Sequence, residues 1–283
     1  MKSKMKSLSL FIIIISIAGK SFAQYYYQDI IASQQATEKW KTYKDNKIKS
    51  VNISSFESNN QATQGFECKQ TVAKDYSQIS TYTKTDFSRE TTLTSYYSAS
   101  GLLQKTIDTS KNYQSSTEYL FDASANISSI TNTSIETTSG IKNTEQHLWK
   151  YGADGKPVSM QKIKNNSDTT FISFVKDEKG NIAEEHGVHN KSAIPTIYYY
   201  YDDNKRLTDI VRYNEKAKRL LPDYIFTYND NNKLSSMLFV PEGSNDYEKW
   251  IYDYNDNQLR TMETCFNKQK QMLGKIEYEY KFN

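Results

Sequence analysis

The sequence predicts an all-β fold: an antiparallel meander of repeated β-hairpins in a twisted or curled sheet, with one short N-terminal helix. Three observations predict it. Tyrosine-rich runs with a two-residue alternation recur down the chain, as in Ile197–Tyr201, Tyr224–Tyr228 and Trp250–Tyr254. A polar turn follows each run, Asp202 to Arg206, Asn229 to Lys233 and Asn255 to Gln258. An aliphatic residue then restarts the alternation at Leu207, Leu234 and Leu259. Tyrosine and threonine fit pleated, half-buried surfaces, and a short fixed period with two strands per unit marks a repeat array.

Residues 1–23 read as a secretory leader. Lys2, Lys4 and Lys6 precede the apolar stretch Leu8 to Ala18, and Ser21-Phe22-Ala23 offers small residues for cleavage before Gln24. The apolar stretch falls short of the roughly 20 residues that a membrane-spanning helix needs. The leader holds four lysines and no acid, so the remaining chain carries 32 basic and 33 acidic residues. That balance lacks the clustered positive charge of a nucleic-acid binder.

Residues 24–46 form the helical segment. Ala32, Ala36, Trp40 and Tyr43 share one helical face. Asp29 is placed to cap its start and Asp45-Asn46 to end it, with Trp40 docking it on the first strands. The β-hairpin repeat domain covers 47–283, with clear repeats from about 96. Strands are expected over Lys47–Phe56, Phe66–Val72, Gln78–Lys84 and Arg89–Tyr97. From there the last aromatic of each first strand is Tyr97, Phe121, Tyr151, Phe174, Tyr201, Tyr228, Tyr254 and Tyr280, spaced 24, 30, 23, 27, 27, 26 and 26 residues apart. Gly101, Asn126, Gly155, Gly180, Asn204, Asn231 and Asn257 follow as residues that tolerate a left-handed backbone. Tyr280 has no turn after it. Tyr43 to Val51 repeats the spacing of Tyr254 to Met262, as though the array began there with its first arm turned to helix.

The order Tyr, Asp or Asn, Gly or Asn, then Leu or Ile, carried best by Tyr201-Asp202, Phe121-Asp122 and Tyr228-Asn229, resembles the YD repeat of Rhs-like proteins and their shorter secreted relatives of Bacteroidetes type. The resemblance covers about Tyr96 to Asn283. It implies strips of β-hairpins, which in long members spiral into a shell.

Chemistry-bearing residues do not assemble into a catalytic pattern in the sequence. Glu184-Glu185-His186-Gly187-Val188-His189 reads either as a metal cluster or as a solvated loop. The turn carboxylates Asp202, Asp203, Asp230 and Asp256 read as turn chemistry or as repeated calcium ligands. No catalytic, metal or cofactor-binding residue is assigned, and no cofactor is expected. Cys68 and Cys265 are expected to stay unpaired, since an open array keeps them far apart.

The aromatic rows Tyr199, Tyr201, Tyr224, Phe226, Tyr228, Trp250, Tyr252, Tyr254 and Tyr278 line one face. That face is either core against an opposite wall or an open groove that stacks on a ligand. The functional expectation is an exported, non-catalytic interaction module of the periplasm, outer surface or medium. It would bind an unknown protein or glycan of the cell envelope, and neither nucleic acid nor the membrane interior. Two alternatives are an outer-membrane β-barrel, favoured by the Tyr278, Tyr280, Phe282 alternation, and an enzyme with its site in a curved β groove. An exported chain should begin at Gln24; N-terminal sequencing of material outside the cytoplasm checks this, and Met1 retained in that pool contradicts it.

Overall fold

A computed structural model describes residues 24–86, 89–241, 244 and 246–283; the leader assigned to 1–23 lies outside the described residues. A π-helical turn, Tyr26–Ile31, runs into helix α1, Ala32–Asp45. The strands follow in order: β1 (Ile48–Glu57), β2 (Glu67–Val72), β3 (Gln78–Thr85), β4 (Arg89–Tyr97), β5 (Leu103–Ser110), β6 (Tyr113–Phe121), β7 (Ile127–Glu136), β8 (Lys142–Tyr151) and β9 (Pro157–Lys164). They continue as β10 (Asp168–Lys176), β11 (Ile182–His189), β12 (Ser192–Tyr201), β13 (Leu207–Asn214), β14 (Arg219–Tyr228), β15 (Leu234–Phe239), β16 (Glu248–Tyr254), β17 (Arg260–Asn267) and β18 (Met272–Phe282).

Each strand pairs antiparallel with its sequence neighbours, and β1 also pairs with β18, from Ile48 opposite Phe282 to Glu57 opposite Gly274. The Asn283 N–H donates to the Lys47 carbonyl at 2.8 Å and fastens the seam. The antiparallel meander expected is therefore present, but it closes into an 18-stranded barrel instead of staying open. The physical reason lies in the two incomplete ends. Strand β18 carries the repeat anchor Tyr280 without a return strand, and β1 is a return strand whose expected anchor, Tyr43, lies in the helix. Tyr280 pairs with Val51, so the termini together build the missing unit. Closure also removes the exposed edges that an open array would present.

The anchors coincide with breaks in the ladder. Register shifts recur at Tyr97, Phe121, Tyr151, Tyr201, Tyr228 and Tyr254. In the β10–β11 hairpin the shift falls at Lys176, so Lys176 and not Phe174 occupies the anchor position. This correction evens the local spacing to 25 residues on either side. Phe174 corresponds instead to Tyr199, two places before its anchor.

The turns after the anchors share one design. The first turn residue donates its N–H to the carbonyl four residues on, as from Asp122 to Asn126, Asp202 to Arg206 and Asn229 to Lys233. Its side-chain oxygen accepts N–H groups from the same turn: Asp202 from Asn204 and Arg206, Asn229 from Asn231 and Lys233. The left-handed residues are Gly101, Ala125, Gly155, Gly180, Lys205, Asn232 and Gln258. The sequence reading was correct at the three glycines and displaced by one position at Asn126, Asn204, Asn231 and Asn257. The side chain of the opening Asp or Asn holds the turn well enough that the strained position accepts Ala, Lys or Gln.

A left-handed lysine costs about 1–2 kcal/mol and glycine recovers part of it. Lys205→Gly is therefore expected to raise stability by about 0.5–1 kcal/mol in urea unfolding; an unchanged midpoint contradicts it. Gly101→Ala is expected to lower stability, since at φ +87° its Cβ would stand 2.4 Å from the Trp40 ring.

Candidate functional site

An 18-stranded wall encloses a lumen too wide for its own side chains to fill. The N-terminal segment occupies it. Tyr25 and Ile30 sit in one buried cluster with Ile130, Trp149, Ile172, Ile197 and Phe226 of the β7–β14 arc. Trp40 and Tyr43 sit in a second cluster with Ile48, Val72, Leu103, Trp250 and Ile276 of the other arc. A segment that packs on opposite arcs of a closed wall has to cross its interior. Helix α1 and the turn before it are thus a plug.

The aromatic rows face this plug. Tyr199, Phe226, Trp250 and Tyr252 are buried, and Tyr201, Tyr224, Tyr228, Tyr254 and Tyr278 are half-buried. Tyr26 meets Tyr199 edge-on at 5.4 Å, and Tyr27 lies 5.5 Å from both Tyr224 and Phe226. Trp40 stacks near Tyr97 and donates its indole N–H to the Tyr76 carbonyl at 2.7 Å, so it docks on the first strands as expected.

Five anchor tyrosines carry a second, repeated contact. The hydroxyl of each donates to the carbonyl that starts the preceding unit's return strand: Tyr151 to Ile127, Tyr201 to Ile182, Tyr228 to Leu207, Tyr254 to Leu234 and Tyr280 to Arg260, at 2.7–3.0 Å. The anchor tyrosine is a latch between neighbouring hairpins. This explains why tyrosine and not phenylalanine dominates that position.

Three buried carboxylates fix the plug's N-terminal end. Glu185 is fully buried, and its oxygens accept the Tyr25 and Tyr26 N–H groups at 3.1 and 3.0 Å and the Tyr199 hydroxyl at 2.8 Å. Asp29 does not cap the helix; its carboxylate faces the wall, 2.6 Å from His147 Nδ1 and 3.1 Å from the Trp149 indole nitrogen. Glu185 takes the capping role. Asp223 holds Arg212 through two bonds and accepts the Gln24 side-chain amide at 2.8 Å.

Strand alternation splits the run Glu184 to His189 between the two sides of the wall. Glu185 points inward, while Glu184 and His186 pair with each other outside and His189 pairs with Asp168. The run therefore does not converge on a metal, and no grouping of three or more metal-ligating side chains occurs among the described residues. Sequence reasoning passed over Glu185 because its neighbours in the string drew attention to the wrong face. Cys68 and Cys265 are free and buried in the same cluster. Closure places β2 and β17 three strand spacings apart, about 14 Å, instead of at opposite ends of an open array.

No family model and no curated protein matches the chain. Among solved structures it is similar to a porin-like protein from Bacteroides uniformis, at 8% identity and a TM-score of 0.41, over 83% of this chain and 98% of that one. A porin-like protein from Bacteroides vulgatus gives 10% identity and a TM-score of 0.28 over 83% of this chain and 98% of that one. The TcdB2-TccC3-TEV structure gives 11% identity and a TM-score of 0.34 over 77% of this chain; the match spans 12% of that chain's length.

The lumen beside α1 is wetted, because Gln34, Gln35, Glu38 and Lys39 stay exposed although the wall surrounds them. The Lys39 ammonium lies 5.3 Å over the Tyr43 ring. The surrounding wall, with Arg260 adding repulsion, lowers its pKa, and the lumen water that reaches the side chain screens both effects. For the aromatic face, Tyr252→Ala should cost about 3–5 kcal/mol as a core truncation. Tyr228→Phe should cost about 1 kcal/mol for the lost latch. Denaturant midpoints read both, and a neutral Tyr252→Ala would remove the case for core packing.

Proposed function

We propose that this chain is an exported, non-catalytic β-barrel of the cell envelope, plugged by its own N-terminal helix and associated with the outer membrane. The observation that carries the reading is the β1–β18 seam, which turns a strip of hairpins into a closed wall. Leader features in residues 1–23 support export. The even strand number lies within the range of outer-membrane barrels. The aromatic face already has an occupant in the plug, so a protein or glycan partner would meet the rim or the outer wall. The same occupancy supports the non-catalytic reading, since the helix takes up the space that a curved groove would offer to a substrate. Kinship with YD-repeat proteins is supported by the recurring anchor tyrosine and the Asx turn after it.

Integral seating in the membrane draws support from closure and from the outward side of β10–β12. Phe171, Val175, Val188 and Tyr200 are exposed there, and Phe171 and Val188 are paired across the ladder. A peripheral seating has its own support on the opposite arc. Glu67 and Lys69 of β2, Lys249 and Asp253 of β16, and Glu279 and Lys281 of β18 are exposed between inward-facing neighbours. A spanning wall carries a continuous apolar band there.

Alkaline carbonate extraction of cell envelopes decides between them. An integral barrel stays in the membrane pellet and changes its electrophoretic mobility on heating. Release to the supernatant selects the peripheral seating. A protein that never sediments with envelopes overturns outer-membrane association altogether.

A further inference from the structure

We propose that removal of residues 1–23 locks the plug, because the α-ammonium created on Gln24 pairs with the Glu185 carboxylate inside the lumen. The inference rests on the export reading for the cleavage itself, and on lumen geometry for its consequence.

Gln24 is 5% exposed and Glu185 is 0% exposed. The first two N–H groups after Gln24, those of Tyr25 and Tyr26, already donate to the two oxygens of Glu185. The third donor, the Tyr199 hydroxyl, is also neutral. The nearby cations are committed elsewhere. Arg212 holds Asp223, Lys162 holds Glu145, and His147 lies between Asp29 and Glu145. Among the described residues Glu185 therefore faces no cation, although a fully buried carboxylate without one is expensive.

Gln24 immediately precedes the helical residues, its carbonyl accepting the Gln28 N–H at 2.8 Å, and the free N–H groups at a helix start face away from the helix body. That start is where Glu185 stands. In the uncut chain this nitrogen is a neutral amide. Hydrolysis of the Ala23–Gln24 bond consumes one water; Ala23 leaves as a carboxylate, and the Gln24 nitrogen becomes an ammonium at neutral pH. Processing thus delivers a cation to the one buried carboxylate of the plug that lacks one. Meanwhile Asp223 holds the Gln24 side-chain amide at 2.8 Å, which fixes the residue in place.

The test compares a chain starting at Gln24, freed from a fusion by a protease that leaves no extra residue, with the same chain acetylated on its α-amine. At pH 7 the free amine should raise the Tm by about 3–6 °C, the scale of one buried charge-assisted contact. The difference should disappear above about pH 9, as the α-ammonium titrates, and should be absent in Glu185→Gln. Equal Tm values for the free and acetylated chains overturn the proposal. If Glu185→Gln does not fold, amine reactivity replaces it: folded wild type should acetylate at Gln24 many-fold more slowly than in urea, and equal rates overturn the docking. Exported material whose Gln24 has cyclised with loss of ammonia also overturns it, since that form carries no ammonium. Retention of Met1 in cells would overturn export and leave the comparison in vitro to judge the docking by itself.

Discussion

Pairing of β1 with β18 is the constraint on which the rest of this structure depends. Each hairpin between them is local, held by a turn of a few residues, and none sets the size of the whole. Once residues 48–57 lie along residues 272–282, the number of strands is fixed and so is the lumen. A lumen of that width leaves two outcomes, an aqueous channel or a filling from elsewhere in the chain. Residues 24–45 supply the filling. The inward rows are accordingly aromatic and aliphatic, because they meet a helix and not open water. In β2 and β18 this leaves the charged residues on the outside, the reverse of the polarity that a water-filled membrane channel shows.

The repeat has a physical meaning that goes beyond pattern. Each unit needs a kink where the wall turns back, and the register shift at the anchor provides it. The tyrosine at that kink reaches past its own hairpin to the first carbonyl of the preceding return strand. The opening Asp or Asn of the turn closes the hairpin itself. One residue pair, Tyr then Asp or Asn, therefore serves both the contact between units and the turn within the unit. Tyr280 obeys the same rule and bonds the Arg260 carbonyl, although its turn is replaced by the seam.

Most of the wall was legible in the sequence because its determinants are local. Strand alternation, turn chemistry and the helical face of Trp40 and Tyr43 all operate within a dozen residues. The errors follow from the same locality. Phe174 reads as an anchor because it is aromatic, whereas the register gives that place to Lys176. Asn204 and Asn231 drew the left-handed position by residue type, yet Lys205 and Asn232 hold it. Closure was legible only as the outer-membrane barrel alternative carried by the Tyr278, Tyr280, Phe282 alternation, since it joins segments more than 200 positions apart. A further local trace lay at the two ends, in Tyr280 without a turn and in Val51 preceded at the repeat spacing by Tyr43, which stands in the helix and not in a strand. The lumen contacts of Glu185 and Asp29 were hidden for a related reason. A carboxylate in a strand or a helix looks like surface until its partners, 118 to 160 positions away, are known.

Similar units in a ring raise a problem of identity, because a strip of hairpins that resemble one another can pair one unit out of step. The plug breaks that degeneracy. Its polar contacts fall on residues that the repeat does not reproduce: Glu185 on β11, His147 on β8, Asp223 on β14 and Gln70 on β2, which accepts the Tyr43 hydroxyl at 2.7 Å. Each of these is polar and buried, so a shift by one unit would leave several of them without partners in a low-dielectric interior. The two ends of the plug also differ in chemistry. The N-terminal end is held by carboxylates and the C-terminal end by Trp40 and Tyr43 against apolar wall, so the helix cannot be reversed without burying charge on the wrong side. The aromatic rows supply burial that any register of similar units would offer. The few polar contacts of the plug specify which register, and thereby which strand meets β1 at the seam.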